Sequence, residues 1–180
     1  MRVILIRHPR PLIAPGICYG RLDMPLHPDA GPVIARISAD SGLKGATRVW
    51  SSPARRCRVL ADAIGEALAV PVTLDHRLQE LDLGDWEGRP WDEVARADLD
   101  RWAAEPIGFA PPGGESGGAL IARIREFEAA LHRYGQECVV VSHGGPLKVL
   151  AALLSGKPVD LLAPAPPVGD VHYVSLPGLR

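Results

Sequence analysis

Two stretches of this chain share one pattern. Near the start "VILIRHPRP" runs from Val3 to Pro11, and far downstream "CVVVSHGGP" runs from Cys138 to Pro146. Each is a short apolar run, rich in β-branched residues, that ends in a histidine: His8 in one, His143 in the other. An uninterrupted apolar run of this length fits a strand buried on both faces, which is the environment inside a parallel sheet. Parallel neighbours require long crossover connections, usually helical, so the segments between the two runs should carry helices.

They do carry helical patterns. "HPDAGPVIARISAD" (27–40) reads as a helix with an ill-defined start. "SSPARRCRVLADAIGEALAV" (51–70) places Cys57, Leu60, Ala61, Ile64 and Leu68 on one apolar stripe. Ser52 is its expected cap and Pro53 its first residue. "GRPWDEVARADLDRW" (88–102) reads as a helix, and "ALIARIREFEAALHRYG" as an amphipathic one that stops at Gly135. A further helix is expected from Pro146 to Ser155, stopped by Gly156 and Pro158. Between these lie strand candidates at Arg48–Trp50, in "VPVTLD" (70–75) and in "VHYVSL" (171–176), and a Pro- and Gly-punctuated loop, "EPIGFAPPGGESGG". Strands alternating with helices predict an α/β fold, a three-layer α/β/α sandwich around a largely parallel sheet, with residues 1–180 forming a single domain.

Composition narrows the function. Twenty basic against 21 acidic residues leave a net charge of −1, which argues against a surface built to coat nucleic acid. Three scattered cysteines with no CxxC pair give no disulfide framework or zinc ribbon, and reduced cytosolic thiols are expected. "VILIR" is too short for a signal segment or a membrane span, so a cytoplasmic protein is expected. His27, His76, His132 and His172 show no metal-ligand spacing, and neither a metal nor a cofactor is expected.

In open α/β sheets, ligands bind beyond the carboxyl ends of the strands. If the two runs are parallel neighbours, His8 and His143 emerge side by side on that rim. Gly144 and Gly145 would then turn the chain into a helix whose N-terminus suits an anion. A lone histidine in such a place more often just caps its strand. Two in matching settings, one of them following Arg7, point to a site.

Four segments taken in order, "LIRHPRP", "SSPARRCRVLA", "LQELDLGDWEG" and "VVVSHGGPLK", with a weaker fifth, "PPGGES", resemble the histidine phosphatase superfamily, which includes the cofactor-dependent phosphoglycerate mutases. Within it, "GICYGRLDMPL" and the short length are most similar to the α-ribazole-5′-phosphate phosphatase branch. The resemblance implies a phosphoglycerate mutase-like fold and assigns roles. His8 is the expected nucleophile, forming a phosphohistidine. Arg7 and Arg56 are expected to clamp the phosphate with their planar forks, helped by Gly144 and by a charged His143. Arg55 and Arg58 are left to solvent. Glu80 matches the general acid, and the like charges of Asp82, Asp85 and Glu87 are expected to help keep it protonated. Glu115 is a possible second acid, more readily a loop organiser.

The bland assignments are packing for Trp50, Trp86, Trp91 and Trp102, with a place in the pocket wall as the alternative for Trp86, and core for Cys57. Two positions depart from the family. Pro9 stands where glycine or threonine is usual and lacks an N–H. Ile13-Ala14 stand where the mutases carry an asparagine, and offer no donor. The expected activity is hydrolysis of a small phosphomonoester, α-ribazole 5′-phosphate of cobalamin biosynthesis being one candidate. Mutase-type transfer is the alternative, against which a 180-residue chain leaves little length for insertions over the site. A silent phosphoester-binding protein is the third reading. Nothing in the sequence fixes the oligomeric state.

Overall fold

The computed structural model describes residues 1–175. Its centre is a five-stranded sheet made of β1 (Arg2–Arg7), β2 (Val49–Ser51), β3 (Val72–Leu74), β4 (Cys138–Ser142) and β5 (Val171–Ser175), in the order β3-β2-β4-β1-β5. β1, β2, β3 and β4 are mutually parallel, and β5 lies antiparallel against β1 at the edge. The last residue of the expected 171–176 strand lies outside the described residues.

Side-chain alternation divides the two central strands between two cores. Ile4 and Ile6 of β1 with Val139 and Val141 of β4 face α1 (Ala30–Ser38) and α2 (Arg55–Leu68), through Ile37, Cys57, Leu60, Ala61 and Ile64. Val3, Leu5, Cys138 and Val140 face the other way, onto Leu120, Ile124, Phe127 and Leu131 of α4 (Gly117–Tyr134) and Leu147 and Leu150 of α5 (Gly144–Leu154). This double burial is why both runs read as unbroken apolar sequence, and all five β4 residues are buried. The three layers expected from the sequence are present.

A smaller cluster of Cys18, Leu83, Trp86, Val94 and Phe109 sits apart, with Trp91, Leu99 and Trp102 packed on it. It is formed by connections and by α3 (Arg96–Ala104). Here the single helix expected over 88–102 is replaced by two pieces, a 3₁₀ turn at Trp91–Glu93 and then α3. Val94 between them is extended, and Ala95 is non-helical. Val94 is buried in the cluster, so tertiary packing overrides the local helical pattern.

The start of α2 also differs from expectation. Ser52 does not cap it: Ala54 holds that position without a side-chain cap, and the helix begins at Arg55. The Ser52 amide instead bonds the Val141 carbonyl at 3.0 Å, extending the β2–β4 ladder by a residue. The chain is therefore still extended at Ser52, and its buried Oγ accepts the Ala54 amide at 3.3 Å while also reaching toward the sheet rim.

Phe127 is fully buried between Trp50, edge-on at 5.8 Å, and the Arg77 guanidinium, 5.5 Å from the ring. Truncation to Ala should remove about 3–5 kcal/mol of stability. Urea denaturation should show this as a lower midpoint at an unchanged slope, and a loss under about 1 kcal/mol would contradict this packing.

Candidate active site

Because β1 and β4 run parallel in register, with Arg7 opposite Ser142, the chain leaves both strands at the same height. The His8 amide adds one more rung by donating to the Ser142 carbonyl at 3.1 Å. The two imidazoles meet edge to face, with centroids 5.1 Å apart and planes at 69°. Each is only 1% exposed.

His8 has a defined tautomer. Its Nδ1 lies 2.7 Å from the Pro9 carbonyl, which can only accept, so Nδ1 carries the proton and Nε2 the lone pair. Pro9 thus lacks the amide of its usual counterpart, but its carbonyl orients the ring. Burial first, then the charges of Arg56 and Arg7, push the His8 pKa down to about 3, against the opposing pull of the Pro9 bond. The ring is a neutral base and potential nucleophile throughout the physiological range.

Two guanidinium groups frame it. Arg56, in the first turn of α2, is fully buried. Its Nη1 and Nη2 donate to the Leu22 and Gly20 carbonyls at 2.8 and 2.7 Å, and its Nε has no partner. Tyr19 stacks near it, the ring centroid 5.7 Å from Cζ. Arg7 donates through Nη1 to the Pro166 carbonyl at 2.6 Å, and its buried Nε is likewise unpartnered. Among the described residues neither arginine forms an ion pair. An uncompensated cation as deeply buried as Arg56, with part-buried Arg7 adding a second charge, is expensive unless an anion arrives.

His143 differs from its expected charged state. Burial first, then His8, Arg56, Arg7 and Arg123, hold its pKa well below the usual imidazole value, so the ring is neutral in the unliganded protein. Ser52 Oγ fixes it through a 2.8 Å bond to Nε2, and the Cys57 sulfur stands 3.5 Å from the same atom. Cys57 is core, as expected, and burial pushes its thiol pKa above the titratable range.

Glu80 comes to the same rim. Its two carboxylate oxygens lie 3.2 and 3.3 Å from the Gly145 amide in the first turn of α5, and Oε1 also accepts from Leu81 N at 2.9 Å. A Cβ at position 145 would stand 2.5 Å from that carboxylate, so any side chain there would push Glu80 out of this position. At Gly144 a Cβ would meet Ala165 at 2.9 Å and Arg7 Cζ at 3.2 Å. The like-charged neighbours expected around Glu80 are committed elsewhere. Asp82 pairs with Arg21, Asp85 is exposed, and Glu87 accepts from the Arg21, Leu22 and Leu83 amides. Glu115 pairs with Arg21 and Arg123 and receives the Asp82 amide, the loop-organising place expected of it.

Next to Glu80 and Gly145 opens a cavity of about 340 Å³ with a mainly apolar lining that includes Tyr19, Leu81, Trp91, Trp102, Leu120 and Leu161. Trp91 and Trp102 lie parallel at 6.2 Å, planes 5° apart. Trp86 is a packing residue, as expected, and not part of the wall: its indole packs against Phe109, Trp91 and Trp102 in the cluster behind them. Tyr19, Ser52, Trp91, Trp102 and Lys148 join the site without having been read from the sequence. For Lys148 the signal was available: it lies four residues after Gly144, on the same face of a helix. Ile13 and Ala14 line a separate, shallower hollow with Arg10. Among the described residues no three His, Cys, Asp or Glu side chains are grouped to hold a metal, and no helix is long and apolar enough to cross a membrane.

A sheet rim with paired imidazoles and guanidinium groups that have no ion-pair partner among the described residues is chemistry suited to a phosphoester. The model of the histidine phosphatase superfamily (branch 1) matches residues 3–173, and the chain belongs to that family. It is 30% identical over 167 residues to phosphoserine phosphatase 1 of Hydrogenobacter thermophilus, covering 89% of this chain and 78% of that one. It is 31% identical over 191 residues to glucosyl-3-phosphoglycerate phosphatase of Mycobacterium tuberculosis, covering 98% and 85%. The crystal structure of the α-ribazole phosphatase from Shigella flexneri superposes with a TM-score of 0.88 at 25% identity over 97% of this chain and 90% of that one. The protein is a phosphatase of this superfamily.

The depressed histidines also predict an acid sensitivity. Unfolded imidazoles titrate near 6.5, whereas folded His8 titrates near 3, so the unfolded state binds more protons between these values. The stability contributed by neutral His8 and His143 is present above pH 6.5 and is lost as pH falls below it. Denaturation midpoints should therefore drop below pH 6.5, and less steeply in His8→Gln; identical slopes for the two proteins would contradict the burial of a neutral ring.

Proposed function

We propose that the protein hydrolyses the phosphomonoester of a small alcohol with an apolar, aromatic portion, through a phosphohistidine on His8. The observation that carries this reading is a pair of guanidinium groups, fully buried Arg56 and part-buried Arg7, without ion-pair partners among the described residues, beside a histidine whose Nε2 lone pair is free. The phosphoryl group sits between the arginines and the two imidazoles. His8 Nε2 attacks phosphorus, the P–O bond to the alcohol breaks, and the Glu80 carboxyl passes its proton to the leaving oxygen. Water then attacks phosphorus, Glu80 takes a proton from it, the P–N bond breaks, and orthophosphate leaves with His8 restored. A dianion beside His143 favours its protonated form, so the substrate itself creates the charged clamp that the unliganded protein lacks.

The cavity beside Glu80 receives the alcohol. Its parallel indoles suit a flat aromatic group. Its one lining cation, Lys148, already donates to two backbone carbonyls, so the carboxylate of a phosphoserine or phosphoglycerate finds no arginine fork there. α-Ribazole 5′-phosphate of cobalamin biosynthesis fits this chemistry, and the likeness to the Shigella flexneri α-ribazole phosphatase supports it. Purified protein should show its highest kcat/KM on α-ribazole 5′-phosphate when that ester is compared with phosphoserine and glucosyl-3-phosphoglycerate. A clear preference for phosphoserine would overturn the substrate.

The role of Glu80 has its own test. In single-turnover experiments Glu80→Gln should slow phosphoenzyme formation from an alkyl ester by about 10²–10⁴-fold, and far less from p-nitrophenyl phosphate, whose phenolate needs little protonation. Equal losses on both esters would assign Glu80 a purely structural part.

A further inference from the structure

Between α5 and β5 the chain runs from Ser155 to Asp170 without helix or strand, and contains Pro158, Pro164, Pro166 and Pro167. This strap lies across the rim. Its distal half is tied to β1: Gly169 N donates to the Arg7 carbonyl at 3.1 Å, and Arg7 Nη1 to the Pro166 carbonyl at 2.6 Å. Arg36 adds a bond to the Gly169 carbonyl at 3.0 Å. The proximal half supplies Leu161 and Leu162 to the lining of the 340 Å³ cavity. That half has a different anchor. Lys148 Nζ donates to the Leu161 and Ala163 carbonyls, both at 2.6 Å. Among the described residues these are the bonds that join 161–163 to the rest of the molecule, since the Leu162 and Ala163 amides are satisfied locally by Asp160.

Lys148 is also well placed to connect wall and chemistry. It stands on α5 one turn beyond Gly144 and Gly145, the residues that pack against Arg7 and Glu80. The same short helix therefore holds the carboxylate at its first turn and the cavity wall at its second. Two short charge-assisted bonds to the strap carbonyls of Leu161 and Ala163 set where the Leu161 side chain falls. That side chain is already confined on its far side: a Cβ at Gly117 would come within 2.3 Å of Leu161 Cδ1.

We propose that Lys148 is a specificity-determining positioning residue, which fixes the Leu161–Ala163 segment as the outer wall of the alcohol cavity and so selects esters of bulky apolar alcohols over those of small ones. The proposal rests on the reading that this cavity takes the leaving alcohol. Lys148 itself breaks and makes no covalent bond. Its loss frees the wall without removing any group that holds the phosphoryl. Discrimination by a shaped apolar pocket is typically worth about 10–200-fold, and that part of the selectivity is what Lys148 supplies.

The test compares ethyl phosphate with 2-phenylethyl phosphate, primary esters that differ in the bulk of the alcohol. Wild-type protein should favour the larger ester in kcat/KM. In Lys148→Met this ratio should fall about tenfold, mostly through the larger ester, and Lys148→Arg should restore much of it. Inhibition by orthophosphate, which reports the phosphoryl clamp rather than the wall, should change far less than the ester ratio. An unchanged ratio in Lys148→Met would overturn the proposal. So would equal losses on both esters with weakened orthophosphate inhibition, since that pattern is a general loss of structure. A wild-type protein with no preference for the larger ester would instead remove the underlying reading of the cavity. If Lys148→Met does not fold, Lys148→Gln, a shorter uncharged side chain, replaces it in the same comparison.

Discussion

Arg56 is the side chain around which the remainder of the site is arranged. It is fully buried, its Nη1 and Nη2 are spent on the Leu22 and Gly20 carbonyls, and no carboxylate neutralises it. Burying an unpaired charge costs several kcal/mol, and Arg7 adds a second cation beside it. The fold tolerates this because the surrounding layers are well packed, and the cost is returned when a dianion fills the gap. The same pair of charges, added to burial, keeps His8 and His143 neutral. One electrostatic decision thus sets both the affinity for phosphate and the protonation of the imidazoles that handle it.

Helix α5 organises the other half of the chemistry. His143 precedes it, Gly145 in its first turn binds the Glu80 carboxylate, and Lys148 in its second holds the strap. The two glycines matter for close approach rather than for backbone torsion, since a side chain at either would displace Ala165 and Arg7 or Glu80. Phosphoryl clamp, acid and cavity wall are thereby referred to one rigid element, which limits errors in their relative placement.

Much of this was legible in the sequence, for definite reasons. β1 and β4 are buried on both faces, so their composition declared them. The helical stripe that carries Cys57, Leu60 and Ile64 declared α2 and placed Arg56 on its first turn. The motif segments brought Arg7, His8, Glu80 and His143 together, and the structure sets all four on one rim. What the sequence hid depends on tertiary environment. Val94 is extended because the tryptophan cluster buries it, which no local pattern records. Ser52 looks like a helix cap until the β2–β4 ladder is seen to run through it. Trp86 and its neighbours Trp91 and Trp102 could not be sorted into core and cavity before their mutual packing was known. The neutrality of His143 follows from its depth, which the sequence does not give.

The most direct measurement of the central claim is the stabilisation of the protein by orthophosphate, with and without the Arg56 charge. A ligand that binds the native state at 100 times its Kd stabilises it by about 2.7 kcal/mol. Thermal denaturation of the wild-type protein should therefore shift upward with added orthophosphate, and Arg56→Met, titrated over the same range, should shift little or not at all. An equal shift in the two proteins would show that the buried arginine does not hold the phosphate, and would contradict the account.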